Sequence, residues 1–276
     1  MKKRHILFKV FNTIWIGALA ILFLLPLAWM VSSSLKTGHE VFALDFQWIP
    51  DEIRWGNYVK VWTNNEVPFW KLYINSFKIA FLGTLGQLMV SSMAGYALAK
   101  IDFKGKNVVF MVILVTMMIP AQALIIPRYI LFDAIGLYGT HWALVLQFWF
   151  NVTSIFLLRQ FYSGLPNDLM DAARVDGASH YYIWLKIMMP LTKTPMITVV
   201  VLAFTNAWNE YLNALIFLPT YDLYTVSQGI QWFLHLTDDY YLMLTAASSA
   251  ILPIIVLFLF TQKYFVESIS TSGVKG

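Results

Sequence analysis

Six long apolar stretches constrain this chain more than any other feature of its sequence. They lie at about residues 10–34, 74–99, 108–131, 141–161, 195–218 and 243–263. A helix needs about 20 mostly apolar residues to cross a bilayer, and the stretches are of that order. Only 12% of the residues are charged, whereas a soluble domain usually carries about 25%. We therefore predict an all-α, polytopic membrane protein in which residues 1–276 form one transmembrane domain of six helices.

The lysines and arginines indicate which ends of these spans face the cytoplasm. They concentrate before the first span, around residues 100–106, between residues 159 and 193, and after the last span. The connection 219–242 contains none, and most acidic residues lie there or in the connection 36–73. Because cytoplasmic loops are enriched in Lys and Arg, we predict that both termini and the loop between spans 4 and 5 are cytoplasmic.

The chain lacks the side-chain patterns of several enzyme classes. It contains no cysteine, which excludes disulfides, thiolate metal sites and cysteine nucleophiles. Its five histidines are scattered, and neither a Gly-x-Ser-x-Gly nor a Gly-x-x-x-x-Gly-Lys-Ser/Thr pattern occurs. The basic residues are divided among several connections, which argues against a nucleic-acid surface. We predict no catalytic residue, no metal site and no cofactor bound by this chain, which is not expected to be an enzyme.

The connection between spans 4 and 5, residues 162–193, carries the signals of two short helices joined by a sharp turn. A Pro-Asn pair at 166–167 can begin the first helix. Gly177 falls where a helix end favours a left-handed residue. Ser179 can cap a second helix, which Pro190 would close.

The first of these short helices has the features of a docking element. Asp168 and Asp171 lie in its first turn, where the helix dipole favours anions. Small Ala172 and Ala173 would let the helix lie deep in a groove on another protein. An amphipathic surface helix without a special role is the alternative.

The spacing of this loop resembles the conserved loop of permease subunits from binding-protein-dependent ABC importers. In those permeases Glu-Ala-Ala is followed by Gly, Ile and Leu-Pro at fixed intervals. Here Asp171 stands for Glu, Gly177 and Ile187 match, and Met189-Pro190 stands for Leu-Pro. Residues 93–100 resemble the second span of these permeases, and Trp208 to Leu212 resembles their carbohydrate-uptake subgroup of maltose or multiple-sugar type.

The resemblance implies a coupling-helix loop that docks onto an ATPase and an oligosaccharide as the transported solute. The implied docking residues are Asp171, Ala172, Ala173, Asp176, Gly177, Ala178, Ile187 and Pro190. The implied partners are a second homologous permease, two ATP-binding subunits that hold ATP and Mg²⁺, and an extracytoplasmic solute-binding protein. The implied location is the prokaryotic cell membrane. The alternative function is a gradient-driven secondary carrier, which would favour several intramembrane acids.

Glu210 is the only acidic residue within a predicted span. Asn206, Asn209 and Asn213 are spaced to share one face of a helix, and Glu210 adjoins that face. Because charge in lipid is costly, such a residue usually faces protein or water. These four residues are therefore candidates for the substrate pathway, with structural pairing of Glu210 to a partner helix as the alternative.

Overall fold

A computed structural model describes the backbone of residues 2–43, 47–237 and 240–272, and the side chains of 8–43, 47–234 and 240–264. Every regular element in this described part is a helix. The first eight α-helices are α1 (Lys2–Ser34), α2 (Gly38–Val41), α3 (Gly56–Trp62), α4 (Phe69–Lys100), α5 (Lys106–Val115), α6 (Ile125–Ala134), α7 (Trp142–Trp149) and α8 (Val152–Ser163). The others are α9 (Asp168–Val175), α10 (His180–Ile183), α11 (Met189–Leu191), α12 (Lys193–Trp208), α13 (Leu212–Phe217), α14 (Val226–Thr237), α15 (Tyr240–Ala250) and α16 (Leu252–Ser272).

Four of the six predicted spans correspond to helical segments that are long and apolar enough to cross a membrane. These segments are Phe8–Ser34, Phe69–Lys100, Trp142–Ser163 and Tyr240–Tyr264. The third and fifth predicted stretches are interrupted. Two bent pairs, Lys106–Met118 with Ala121–Ala134 and His180–Leu191 with Lys193–Trp208, raise the number of candidate spans in the described part to as many as six. The chain is therefore an all-helical, polytopic membrane protein.

The third stretch bends by 96° at Pro120. A 3-10 turn follows α5, and Ile119 then adopts an extended conformation with φ −83° and ψ 116°. Proline disfavours the helical conformation in the residue before it and lacks an N–H group to continue the helix. None of residues 106–134 is buried within this chain.

Two compact units make up the described chain. The first consists of the residues up to Trp70 together with Gly229–Leu252. In it, the Thr245 hydroxyl donates to the Ser34 carbonyl at 2.9 Å, and the Asn57 amide donates to the same carbonyl at 2.9 Å. These two bonds satisfy a carbonyl group that the end of α1 leaves without a helical partner.

The second unit consists of Lys71–Gln228 and the residues from Pro253 onward. Its small residues let helices approach closely. A methyl group on Gly95 of α4 would lie 2.9 Å from the backbone nitrogen of Arg159 in α8. Gly86 lies against the Trp149 indole, whose Nε1 donates to the Leu82 carbonyl at 3.2 Å. The two helical segments are therefore in backbone-to-backbone contact, and this contact positions the loop that follows α8.

Candidate functional site

The loop 162–193 contains a short helix that ends in a well-defined turn. α9 ends at Val175, and Gly177 follows with φ +80°, the left-handed conformation predicted for it. The Gly177 N–H donates to the Arg174 carbonyl at 2.9 Å, and the Ala178 N–H donates to the Ala173 carbonyl at 2.9 Å. This pair of bonds is the Schellman motif, which satisfies carbonyl groups at the end of a helix and reverses the chain.

The second short helix begins as predicted and then widens. The Ser179 hydroxyl accepts a hydrogen bond from the Tyr182 N–H at 3.2 Å and so caps α10. Trp184–Met188 then forms a π-helical turn, which leads directly into α11 and Pro190. Proline lacks the N–H that an α-helical turn would use, and π-helical turns commonly occur where the regular ladder is interrupted. The helix continues one residue past Pro190, to Leu191.

α9 has one face on this protein and one face exposed. Met170 is only 2% exposed and lies in a buried cluster with Tyr96, Ile183 and Met188. Ala173 and Ala178 pack against the same cluster. Leu169, Ala172 and Val175 point away from it, and Val175 is 89% exposed. These three residues are spaced by three and form an apolar stripe along the outer side of α9, here called the α9 stripe.

The remaining predicted docking residues are divided between surface and core. Asp171, Asp176, Gly177 and Pro190 are exposed, whereas Ile187 packs against the buried cluster. The structure therefore brings Asp171, Asp176 and Gly177 to the surface beside the α9 stripe, whereas Ile187, like Ala173 and Ala178, packs internally.

Polar contacts attach this loop to the end of α4. The Lys100 ammonium donates to the Leu165 carbonyl at 2.5 Å and to Asn167 Oδ1 at 2.7 Å. Arg174 Nη2 lies 3.3 Å from His180 Nε2, and His180 Nδ1 lies 3.2 Å from the Tyr96 hydroxyl. A guanidinium group can only donate, so the Arg174 contact assigns the imidazole proton to Nδ1. The sequence did not predict these contacts because their partners lie up to 84 residues apart.

The predicted helical face of three asparagines is not present. α12 ends at Trp208, so Asn209 and Glu210 lie in a break before α13, and Asn206 and Asn213 belong to different helices. The break is stabilised at both sides. The Ser227 hydroxyl donates to the Trp208 carbonyl at 3.2 Å, and Glu210 Oε1 accepts from the Asn213 N–H at 2.9 Å.

The side chains around this break differ in their access to a solute. Asn206 and Asn209 are exposed, and Glu210 and Asn213 are half-buried. Trp208, which the sequence placed beside these amides, is 1% exposed and stacks on Phe204. It is a core residue and cannot offer a ring face to a sugar.

Arg128 is a polar residue of this region that the sequence did not single out. Its Nη1 donates to Gln147 Oε1 at 2.5 Å and to Asn213 Oδ1 at 3.5 Å. The contacts join α6, α7 and α13. An arginine next to a proline within an apolar stretch was the only signal in the sequence. Within the described residues, no group of three or more His, Cys, Asp or Glu side chains is arranged to hold a metal ion.

Comparison with known proteins places the chain in a family. The model of the family described as "Binding-protein-dependent transport system inner membrane component" matches residues 74–271. The arabinooligosaccharides transport system permease protein AraQ of Bacillus subtilis (strain 168) is 34% identical over 272 residues, with 98% of this chain and 96% of AraQ covered. The sn-glycerol-3-phosphate transport system permease protein UgpE of Escherichia coli (strain K12) is 31% identical over 264 residues, with 93% of each chain covered.

A solved structure shares the fold. One chain of a bacterial ABC transporter involved in the import of the acidic polysaccharide alginate superposes with a TM-score of 0.82 at 24% identity. The match covers 94% of this chain and 96% of that chain. The chain therefore belongs to the family of inner-membrane components of binding-protein-dependent transport systems and is a multi-pass protein of the cell membrane.

Proposed function

We propose that this chain is the transmembrane permease subunit of an ATP-driven importer of oligosaccharides. It forms the translocation pathway with a second, homologous permease. Two separate ATP-binding subunits hold ATP and Mg²⁺ and perform the hydrolysis, and an extracytoplasmic solute-binding protein delivers the sugar. AraQ and UgpE belong to transport systems for arabinooligosaccharides and sn-glycerol 3-phosphate, which supports a sugar or a related polyol phosphate as the solute. Both termini and the loop 162–193 face the cytoplasm, as the distribution of Lys and Arg predicts.

The α9 stripe is the observation that carries this proposal. An exposed row of Leu169, Ala172 and Val175 on a short, well-anchored helix suits a groove on another protein. Asp171 and Asp176 lie beside the stripe and offer acceptors to cationic groups on the ATP-binding subunit. The left-handed turn at Gly177 fixes the angle at which the chain leaves this surface.

Packing couples the docked helix to the rest of the second unit. Met170 of α9, Tyr96 of α4 and Trp184 of the π-helical turn share one buried cluster. The Trp184 indole also donates to the Ser92 hydroxyl at 2.7 Å, in the middle of α4. ATP binding shifts the ATP-binding subunits towards one state, and a displacement of α9 then acts on the membrane helices through these contacts.

A substitution on the α9 stripe tests the docking role. Ala172→Trp places a large ring on an exposed position, so this chain still folds while the groove of the ATP-binding subunit is blocked. We expect loss of the ATP-binding subunits when the tagged variant is purified in mild detergent. Asn65→Trp, at an exposed position in the loop after α3, is the matched control. Retention of the subunits by Ala172→Trp would remove the docking assignment.

Transport by the reconstituted assembly tests the energy source. Vesicles that contain the assembly, its binding protein and internal ATP should accumulate sugar after ion gradients are collapsed by ionophores. Uptake that stops with the gradients, or that needs no partner chain, would instead identify a gradient-driven carrier.

A further inference from the structure

Arg128 holds a fixed position at the junction of three helices. The Gln147 side chain that receives its hydrogen bond is itself oriented, because Gln147 Nε2 donates to the Ala143 carbonyl at 2.6 Å. That bond turns Gln147 Oε1 towards Arg128. Asn213, the second acceptor, is held in turn by the bond from its backbone N–H to Glu210. The guanidinium group is therefore placed by a set of oriented neighbours before any solute arrives.

The charge of Arg128 is not neutralised by these neighbours. Both of its acceptors are neutral amide oxygens. In the part of the chain that the structure describes, no carboxylate lies within 4.0 Å of the guanidinium group. The carboxylate of Glu210 is directed at the Asn213 backbone instead. Arg128 is half-buried on one arm of the bent helix pair that is a candidate membrane span. A cation that lacks a counter-ion is costly in a membrane, and such residues commonly mark a solute pathway.

The remaining donors of Arg128 define the chemistry that would satisfy it. A guanidinium group carries five N–H donors, and both hydrogen bonds of Arg128 use Nη1. Within the described residues, Nε and Nη2 have no hydrogen-bond partner. Their planar fork matches the paired oxygens of a carboxylate or a phosphate and fits them better than a single sugar hydroxyl.

We propose that Arg128 binds an acidic group of the transported solute and makes the importer selective for acidic sugars, either uronates or sugar phosphates. The inference rests on the proposed function and deepens it by naming a substrate class. Gln147 and Asn213 position the guanidinium group. In the adjoining break, the exposed amide of Asn209 donates hydrogen bonds to the sugar hydroxyls or accepts them, and the carboxylate of Glu210 accepts them.

The test is competitive uptake by the complete importer, with its binding protein and ATP, in proteoliposomes. The probes are trigalacturonate, galactotriose, arabinotriose and sn-glycerol 3-phosphate, and accumulated solutes are quantified by mass spectrometry. Trigalacturonate carries carboxylates that galactotriose lacks, and sn-glycerol 3-phosphate tests whether a phosphate is recognised. We expect the wild-type importer to accumulate an acidic probe in preference to its neutral counterpart.

The variants assign that preference to Arg128. Arg128→Gln should lower uptake of the acidic probe by about tenfold or more, as expected for loss of a charge-assisted hydrogen-bond pair, and leave neutral uptake within about twofold. Arg128→Lys, which keeps the charge without the fork, should be intermediate. Arg54→Gln, which removes an arginine from a solvent-exposed ion pair with Glu52, should not change the preference.

Each contrary result has a distinct meaning. Wild-type uptake of neutral probes alone, or an equal loss of all probes in Arg128→Gln, would overturn the acidic-sugar inference and leave the importer function intact. A repeat in phosphatidylcholine vesicles with and without phosphatidylglycerol separates solute from lipid. If the Arg128→Gln defect required the anionic lipid, the anion would be a headgroup and the inference would fail. Absence of ATP-dependent uptake of every probe would count against the importer function itself.

Discussion

Gly177 is the residue on which the geometry of the loop 162–193 depends. Its φ of +80° is costly for any residue with a Cβ atom, by roughly 1–2 kcal/mol for alanine. We expect Gly177→Ala to loosen the Schellman turn and raise hydrogen exchange of the α9 amides by about 5–30-fold in the purified assembly. No atom would lie within 4 Å of the added Cβ atom, so steric crowding would not contribute to this loosening.

Gly56→Ala is the control for this substitution, because Gly56 begins α3 with open space around it and without a positive φ. If the α9 amides exchanged at the same rate in Gly177→Ala and Gly56→Ala, the turn at Gly177 would tolerate a side chain and would not set the position of α9.

Glu210 offers a way to separate charge from helix capping. Its carboxylate accepts from the Asn213 N–H at the start of α13. Glu210→Gln keeps an acceptor oxygen and removes the charge, whereas Glu210→Ala removes both. We expect the thermal stability of the assembly to be unchanged by Gln and lowered by Ala, with a cost of about 1 kcal/mol for a lost cap.

Uptake measured on the same two variants decides between the roles of Glu210. A transport defect in Glu210→Gln without a stability loss would place the carboxylate in the solute pathway. A stability loss in Glu210→Gln would show that the charge itself is structural, contrary to the capping geometry.

Between helices, the contact of α4 with α8 brings backbone against backbone, and a single methyl group can test it. Gly95→Ala would bring its Cβ within 2.9 Å of the Arg159 backbone nitrogen and 3.1 Å of the Leu158 side chain. Backbone cannot move aside as a flexible side chain can, so we expect a destabilisation of about 1–3 kcal/mol. A lowered melting temperature of the purified assembly would reveal it, with Gly17→Ala in open space on α1 as the control.

Much of the helical framework could be predicted because its causes are local. The length of the apolar stretches alone locates α1 and α4, and Pro120 by itself causes the bend in the third stretch. Gly177 likewise encodes a turn because it lacks a Cβ atom, and Ser179 encodes a cap through its hydroxyl group. The sequence of the loop 162–193 therefore predicts two short helices without any knowledge of how they pack.

The break at Asn209 could not be predicted because its causes are distant. Asn-Glu-Tyr contains neither glycine nor proline, and the apolar pattern continues on both sides. The helix ends there because the hydroxyl of Ser227, 19 residues away, donates a hydrogen bond to the Trp208 carbonyl. The contact of Arg128 with Asn213 spans 85 residues, so the polar site around the break appears only when the chain is folded.

For the whole chain, the absence of cysteine makes orientation directly measurable. A single cysteine introduced at Asn65 or at Lys104, both exposed, should report on opposite sides of the membrane. We expect a membrane-impermeant maleimide to label Asn65→Cys in intact cells and Lys104→Cys only after permeabilisation. Labelling of Lys104→Cys from outside would reverse the predicted topology.

The bend at Pro120 carries a consequence for how the cell handles this protein. A helix interrupted at membrane depth is tolerated where protein or a water-filled cavity covers it, yet none of residues 106–134 is buried by this chain. In the proposed assembly the cover comes from the other permease. A copy made in excess would remain an orphan subunit, recognisable to membrane proteases by this uncovered bend. The number of importers per cell would then follow the scarcer of the two permeases, whatever the ratio in which the two are synthesised.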